Sequence, residues 1–181
     1  MKLCYLNVVT ESENYLAAFG DILHKNWALS KRPETEVELR TVTKSMPKLK
    51  YFRHNYFIFL YERELMEEIV QAEKDGFDGV MIGCFFDPCL WQGREAVDIP
   101  VVGPGESSML MACMMGYRFA TICIHADVKP CIDAILDRYR LWGRAISHNP
   151  VRPLYISTEE QTEALLVPQK QLDDFEKVSK S

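Results

Sequence analysis

Cys84 is the strongest candidate in this sequence for a reactive, catalytic side chain. It follows the fully apolar run 79–83 and precedes a predicted helix over 89–97. A thiol at a helix N-terminus feels the positive end of the helix dipole, which favours the thiolate. Backbone N–H groups of the same turn, at about Phe85 and Phe86, can hold an oxyanion. This pattern suits removal of a proton next to a carbonyl or nucleophilic attack, and an inert buried cysteine is the alternative interpretation.

Other polar or nucleophilic side chains also follow predicted strands. In open parallel sheets, functional sites lie at the carboxyl ends of the strands. We therefore expect these residues to converge. The predicted strand ends carry Asn7, Cys84, Gly103 with Glu106 and Ser107, and Cys123 with His125.

Two carboxylates near these strand ends also have structural explanations. Asp87 precedes Pro88, and the pair is typical of a turn in which the aspartate bonds the local backbone. Glu106 opens a predicted helix, where a carboxylate complements the helix dipole. Orienting a ligand or a catalytic neighbour is the alternative role of Glu106.

The cysteine and histidine spacings do not predict a metal site. Cys84 and Cys89 are five positions apart, and Cys123 stands near His125, but no paired Cys-x-x-Cys framework is present. His54 and His125 lack the spacing of a diagnostic Cys–His catalytic pair. No P-loop or Gly-x-Gly-x-x-Gly stretch occurs.

Strands alternate with helices along the sequence, which predicts an α/β fold with a parallel sheet. One helix, 106–115, is apolar nearly all round and is expected to be buried, whereas Pro168 should break or kink the last helix. No Pro/Gly/Ser-rich linker marks a boundary, and a crossing between two lobes would fall near 98–104. The predicted strands are 3–9, 36–42, 79–83, 99–103, 118–124 and one near 154–156; the predicted helices begin at Thr10, 58, 89, 106, Pro130 and about 158.

Composition narrows the classes of partner. The chain has 181 residues, of which 48% are hydrophobic, and its net charge is −5. This charge argues against nucleic acid as a partner, and the basic, aromatic stretch 44–56 is interpreted as a solvated loop. No apolar run approaches the ~18 residues of a membrane span, and the first residues lack a signal-peptide layout. We expect a cytoplasmic protein whose six cysteines are thiols.

The stretch from Gly83 to Leu90 resembles a motif of hydantoin and allantoin racemases, Cys-Phe-Gly-Asp-Pro-Gly-Leu. Asn7 stands where that family has the asparagine of an Asn-Pro motif. The sequence thus resembles the Asp/Glu/hydantoin racemase superfamily, closely over 78–122 and loosely elsewhere. Other stretches follow in the family's order, namely Arg94-Glu95-Ala96, Ile99 to Gly103, Glu106-Ser107-Ser108 and Gly116 to Phe119.

The resemblance implies parallel βαβ lobes, 1–98 with Cys84 and 99–181, and a site in the cleft between them. It implies a cofactor-independent racemase or epimerase for a hydantoin- or amino-acid-derived small molecule, with no metal, and we expect a homo-oligomer. One thiol, matched by Cys84, removes the α-proton and a second thiol returns a proton to the opposite face. The implied substrate-binding residues are Asn7, Phe85, Phe86, Glu106, Ser107 and Cys123.

The sequence departs from the family pattern in three ways. The second thiol lies in a Gly-Cys-Gly-like motif, and the remaining cysteines lack those glycines. We expect that motif, with a strand and closing helix, to fall beyond Ser181, and expect little racemisation by this chain alone. Cys123 and Ile124 replace two substrate-binding threonines, and Val8 replaces the proline after Asn7. A one-thiol lyase or isomerase and a degenerate, non-catalytic binding protein are therefore the alternatives.

Overall fold

The computed structural model describes residues 1–8, 13–42, 55–154 and 168–179. Its strands are parallel and alternate with helices, which confirms the predicted α/β fold class. The chain forms two compact units, Met1–Gly105 and Glu106–Ser181. The division into functional lobes at residues 98 and 99 stays a prediction.

The first unit is built on a four-stranded parallel sheet with the strand order β2-β1-β3-β4. Its strands are β1 (Lys2–Asn7), β2 (Glu36–Thr41), β3 (Gly79–Ile82) and β4 (Val101–Val102). The helices that follow the first three strands are α1 (Glu13–Ser30), α2 (Asn55–Lys74) and α3 (Leu90–Ala96). Because all four strands run in the same direction, their carboxyl ends share one border of the sheet, here called the carboxyl edge.

One stripe of α2 forms the core of this unit with the sheet. Tyr61, Leu65, Ile69 and Ala72 recur at helical spacing and are all fully buried. They belong to one cluster with inward-facing residues of the strands, such as Ile82. Because α2 packs on β1 and β3, it fixes the two strands whose carboxyl ends lead to Asn7 and Cys84.

The second unit contains a shorter sheet, in which β5 and β6 are parallel. Its elements are β5 (Thr121–Cys123), α5 (Lys129–Arg138), β6 (Val151–Pro153) and α6 (Pro168–Ser179). Helix α4 (Pro104–Met115) begins in the last residues of the first unit. Ile132, Ile135 and Leu136 of α5 are buried. They lie on one face of the helix, as the sequence spacing predicted.

The prediction that α4 is buried is wrong. Met109 is buried, but Leu110, Met111, Met114 and Met115 are exposed, the last two by more than 80%. A helix that is apolar on every side gives no signal of which face packs, so its sequence overstates its burial.

The last strand and helix of the chain have other bounds than the sequence predicted. The strand predicted near 154–156 occurs as β6, and Leu154, just after Pro153, donates its N–H to the Cys123 carbonyl (2.8 Å). Helix α6 is described from Pro168 onward, where a proline in the first turn loses no helical hydrogen bond, and the predicted break at Pro168 stays a prediction because the residues before it lie outside the described ranges. The capping box at Thr10, most of the basic stretch 44–56 and the predicted helix start near 158 lie outside the described residues. Within the described ranges, no helix is both long and apolar enough to cross a bilayer.

Candidate active site

The first unit brings Asn7 and Cys84 to the carboxyl edge on neighbouring strands. Leu6 pairs with Ile82 in the register of β1 and β3. Asn7 ends β1 and is almost fully buried, whereas Cys84 follows β3 by two residues. Gly83 donates its N–H to the Leu6 carbonyl (2.8 Å), which extends the strand pairing up to Cys84.

Gly83 allows this close approach. A Cβ placed on it would lie 2.7 Å from the ring of Tyr5 and 2.9 Å from the Leu6 carbonyl oxygen. Both distances are below any normal contact, so a side chain here would push the chain away from β1. The backbone just before Cys84 is therefore fixed by a contact that only glycine permits.

Cys84 lies at the border of the buried core. Its exposed fraction is 9%, the highest in the cluster of buried residues to which it belongs among the described residues. Cys4, at 0%, and Cys89, at 5%, lie deeper. Cys84 therefore belongs to the core, and the residue as a whole retains slight contact with solvent.

The prediction that a helix dipole acts on Cys84 is wrong in this structure. Helix α3 begins at Leu90, and its N-cap is Cys89. The dipole acts within about one helical turn, and five residues separate Cys84 from the first helical residue. The intervening turn contains two residues in the left-handed region, Asp87 with φ 50° and Cys89 with φ 58°, so the chain reverses before the helix can start.

The side chain of Asp87 joins the turn after β3 to the turn after β4. It is buried, and its Oδ1 accepts the N–H of Gly105 (2.9 Å). Its backbone N–H donates to the Cys84 carbonyl (3.0 Å). A Cβ on Gly103 would overlap the Asp87 carboxylate, so that glycine leaves the space which the carboxylate fills. The sequence predicted a local turn role for Asp87 and missed this contact, for which the glycines at 103 and 105 were the available signal.

Phe85 and Phe86 occupy the turn that starts at Cys84. Both side chains are half-buried, and Phe86 packs against the core cluster. The contact of Phe86 with the core cluster holds this side of the turn against the sheet. The role of their backbone N–H groups as oxyanion donors stays a prediction.

Burial disfavours the thiolate at four other cysteines. Desolvation raises the pKa of Cys4 to about 11 and that of Cys89 to about 12. The Cys89 thiol also donates to the Glu62 carbonyl (3.5 Å). Burial likewise raises the pKa of Cys123 and of Cys131. A thiol with a raised pKa is a weak base and nucleophile at neutral pH because little of it is ionised.

The second unit holds the other predicted binding residues. Glu106 is half-buried in the first turn of α4, and Ser107 is exposed. Cys123 ends β5, and its buried thiol donates to the His125 carbonyl (3.4 Å). Nδ1 of His125 accepts the N–H of Asp127 (3.2 Å). The predicted site residues thus fall into two sets, one in each unit.

Metal ligands do not cluster in the part of the chain that the structure describes. No group of three or more His, Cys, Asp or Glu side chains there is arranged to hold an ion. The geometry of the carboxyl edge instead offers a thiol, a buried amide and a turn of backbone N–H groups.

Known proteins resemble this chain in sequence. A family model described as Asp/Glu/Hydantoin racemase matches residues 58–166. A hydantoin racemase of Pseudomonas sp. (strain NS671) is 35% identical over 83 residues, which are 46% of this chain and 33% of that protein. A hydantoin racemase of Rhizobium meliloti is 32% identical over 75 residues, 41% of this chain and 31% of the relative. The matched stretches thus span about a third of these relatives' length.

Solved structures resemble the chain over a larger part of its length. An allantoin racemase from Klebsiella pneumoniae has a TM-score of 0.70 and 18% identity, covering 98% of this chain and 70% of its own. An allantoin racemase from Pseudomonas fluorescens has a TM-score of 0.76 and 19% identity, with coverages of 94% and 67%. At such low identities the similarity shows a shared fold.

Proposed function

Because the chain belongs to the Asp/Glu/hydantoin racemase family, we propose that Cys84 removes and returns the proton on a carbon next to a carbonyl. The proposed substrate is a hydantoin- or amino-acid-derived small molecule. The observation that carries the proposal is the position of Cys84, which directly follows β3 at the carboxyl edge, beside the end of β1 with Asn7.

The proposed step is a proton transfer without a cofactor. The Cys84 thiolate takes the α-proton and becomes a thiol, and the electron pair of the C–H bond moves toward the carbonyl oxygen to form an enolate. Asn7 and the N–H groups of the turn at Phe85 and Phe86 are the proposed donors to that oxygen. Such donors stabilise the charge that develops in the transition state more than they stabilise the substrate. The Cys84 thiol exchanges its proton with solvent and then returns a proton to the same face of the carbon, which restores the thiolate and completes the exchange.

We chose the proposed substrate class from the names of the similar proteins, which are hydantoin and allantoin racemases. Hydantoin and allantoin contain the same five-membered ring, whose C5–H bond lies next to a carbonyl. The enolate of this ring places its negative charge on one oxygen, which suits a small set of converging donors. Glu106, Ser107 and Cys123 stay proposed binding residues that the second unit contributes.

Deuterium exchange at C5 of 5-benzylhydantoin tests this proposal. Each pure enantiomer is incubated in D₂O with the protein, and incorporation is followed by proton NMR after subtraction of the uncatalysed rate. Replacing Cys84 by Ser should lower the catalysed rate by about 10²–10⁴-fold, the usual contribution of a general base. Exchange that survives in Cys84→Ser would remove Cys84 from the mechanism.

The matched control is Cys89→Ser. This residue lies in the same turn and is also buried, but its high pKa and its hydrogen bond to Glu62 give it no part in the proposed step. Cys89→Ser should retain the exchange rate after correction for the folded fraction. An equal loss in both variants would indicate damage to the turn instead of loss of a base.

One observation favours a second candidate function. Cys84 belongs to a core cluster and is only 9% exposed, as expected of an unreactive thiol in a non-catalytic protein that binds a small molecule. In that case calorimetry would detect binding of 5-benzylhydantoin, while neither enantiomer would exchange its proton. The expected homo-oligomer also stays a prediction, which light scattering of the purified chain would test.

A further inference from the structure

We propose that Asp87 is a positioning residue, which holds the Cys84 turn against the start of α4 so that the thiol stays at the carboxyl edge. This inference rests on the proposed role of Cys84, and it concerns a residue that makes no contact with the substrate in the step described above. Asp87 makes hydrogen bonds to Cys84, Leu90 and Gly105, and Gly103 leaves room for its carboxylate.

Asp87 bonds both turns at once. Its N–H donates to the Cys84 carbonyl (3.0 Å), and its own carbonyl accepts the N–H of Leu90 (3.3 Å), the first residue of α3. Its carboxylate reaches 18 residues along the chain to accept the Gly105 N–H (2.9 Å). One residue therefore determines where the turn with Cys84 ends and how far it lies from β4.

The carboxylate occupies a space that suits a negative charge. Gly105 is the second residue of α4, and its N–H is one of the groups at a helix start that have no partner within the helix. A carboxylate there satisfies this donor and complements the helix dipole. Burial of Asp87, at 3% exposed, keeps water from competing for the same bond.

The local backbone is shaped around this contact. Asp87 has a φ of 50°, in the left-handed region that aspartate tolerates better than most residues do. Gly103 has no Cβ, and a Cβ at that position would overlap the carboxylate. A residue that served only to turn the chain would need neither the buried bond to Gly105 nor the space left by Gly103.

The direct test measures alkylation of each cysteine by iodoacetamide, resolved by peptide mass spectrometry, in the full chain without substrate. Asp87→Ala removes the bond to Gly105 and should raise the alkylation rate of Cys84 about tenfold, the factor that corresponds to one hydrogen bond to a charged group. Asp87→Asn keeps an oxygen that can accept the same N–H, so it should restore a rate near that of the native chain. Asp98→Asn, an exposed aspartate of the same unit, is the matched control.

Cys4 reports general loosening in the same experiment. It is fully buried in β1, so its alkylation rises only if the whole unit opens. A rise at Cys84 with Cys4 unchanged supports the proposal. Equal rates at Cys84 in native protein and folded Asp87→Ala would overturn it, as would a rise at both cysteines, or failure of Asp87→Asn to restore the native rate.

A double-mutant cycle keeps the inference testable if Asp87→Ala folds poorly. Gly103→Ala should disturb the native chain because the new Cβ meets the carboxylate, and should disturb Asp87→Ala much less because the carboxylate is gone. Additive effects of the two changes on Cys84 alkylation would contradict the inference.

Exchange assays separate this inference from the proposed function. With 5-benzylhydantoin, Asp87→Ala should lower kcat more than it raises KM, while Cys84 alkylation rises. If native protein exchanges no proton, the proposed function fails, and the alkylation data still decide the role of Asp87.

Discussion

Each unit has a cysteine at or just beyond the end of a parallel strand, but the two sulfurs are held differently. In the first unit Cys84 lies two residues beyond β3, with its carbonyl bonded by Asp87 and its side chain at the border of the core. In the second unit Cys123 is the last residue of β5, and its thiol donates to the His125 carbonyl (3.4 Å). Burial raises the pKa of Cys123, so this sulfur is held as a neutral thiol.

The difference indicates that a cysteine within a strand and a cysteine beyond the strand end are oriented by different contacts. A residue within the strand points into a packed layer, whereas a residue beyond it is oriented by the turn. The contacts that orient Cys84 come from other segments, namely β1 through Gly83 and the start of α4 through Asp87. We therefore expect substitutions near Cys84 in the first unit to lower the exchange rate strongly, and substitution of Cys123 to lower it only mildly.

The largest expected contrast is between Asn7 and Cys123 in the exchange assay. Asn7→Ala removes a proposed donor to the enolate oxygen and should lower kcat by about 10²–10³-fold, as loss of one oxyanion donor does. Cys123→Ala should lower it by less than about tenfold, because it removes a binding contact at most. Circular dichroism checks that both variants fold, and a larger effect at Cys123 would reverse the assignment of the two units.

The second largest contrast is in the free energy of unfolding, between alanine substitutions at Gly83 and at Gly143. Gly83→Ala forces a Cβ against Tyr5 and the Leu6 carbonyl and should lower the free energy of unfolding by about 1–3 kcal/mol. Gly143→Ala in the second unit meets no atom within 4 Å and should change it by less than about 1 kcal/mol, in the stabilising direction. Urea unfolding measures both, and equal losses would show that the Cys84 turn is not tightly held against β1.

The smallest expected effect concerns alkaline pH. Burial raises the pKa of Cys4 to about 11 from an ordinary 9.0, so the folded chain keeps this proton more firmly than the unfolded chain. The resulting stability is fully present below pH 9 and is lost as pH rises toward 11, by about 1.4 kcal/mol near pH 10. Cys4→Ala should remove this part of the pH dependence in urea unfolding. A Cys4→Ala variant with the native pH dependence would contradict the assignment.

Sequence patterns predicted those elements whose signal is local. The apolar run 79–83 predicted β3, and the spacing of Ile132, Ile135 and Leu136 predicted the buried face of α5. The resemblance carried by Gly83 to Leu90 also led to the family that the comparison over residues 58–166 shows.

Long-range contacts account for what the sequence did not predict. The Asp87–Gly105 hydrogen bond joins residues 18 positions apart, and no pattern within a single turn predicts it. The exposure of Met114 and Met115 depends on which parts of the chain cover α4, and composition carries no information on that. Helix α3 was predicted over 89–97 and starts at Leu90, so its start was predicted to within one residue, whereas the left-handed conformations at Asp87 and Cys89 that separate it from Cys84 were not predicted.

The exposed methionines of α4 affect how oxidation of this protein should be interpreted. Thioethers at Met114 and Met115 are more than 80% exposed, so peroxide reaches them before it reaches sulfur atoms within the core. Methionine sulfoxide and cysteine sulfenic acid both add one oxygen, although different reductants reverse them. A one-oxygen gain in the mass of the intact chain after peroxide treatment can therefore arise at α4, and peptide-level mapping is needed to assign oxidation to Cys84.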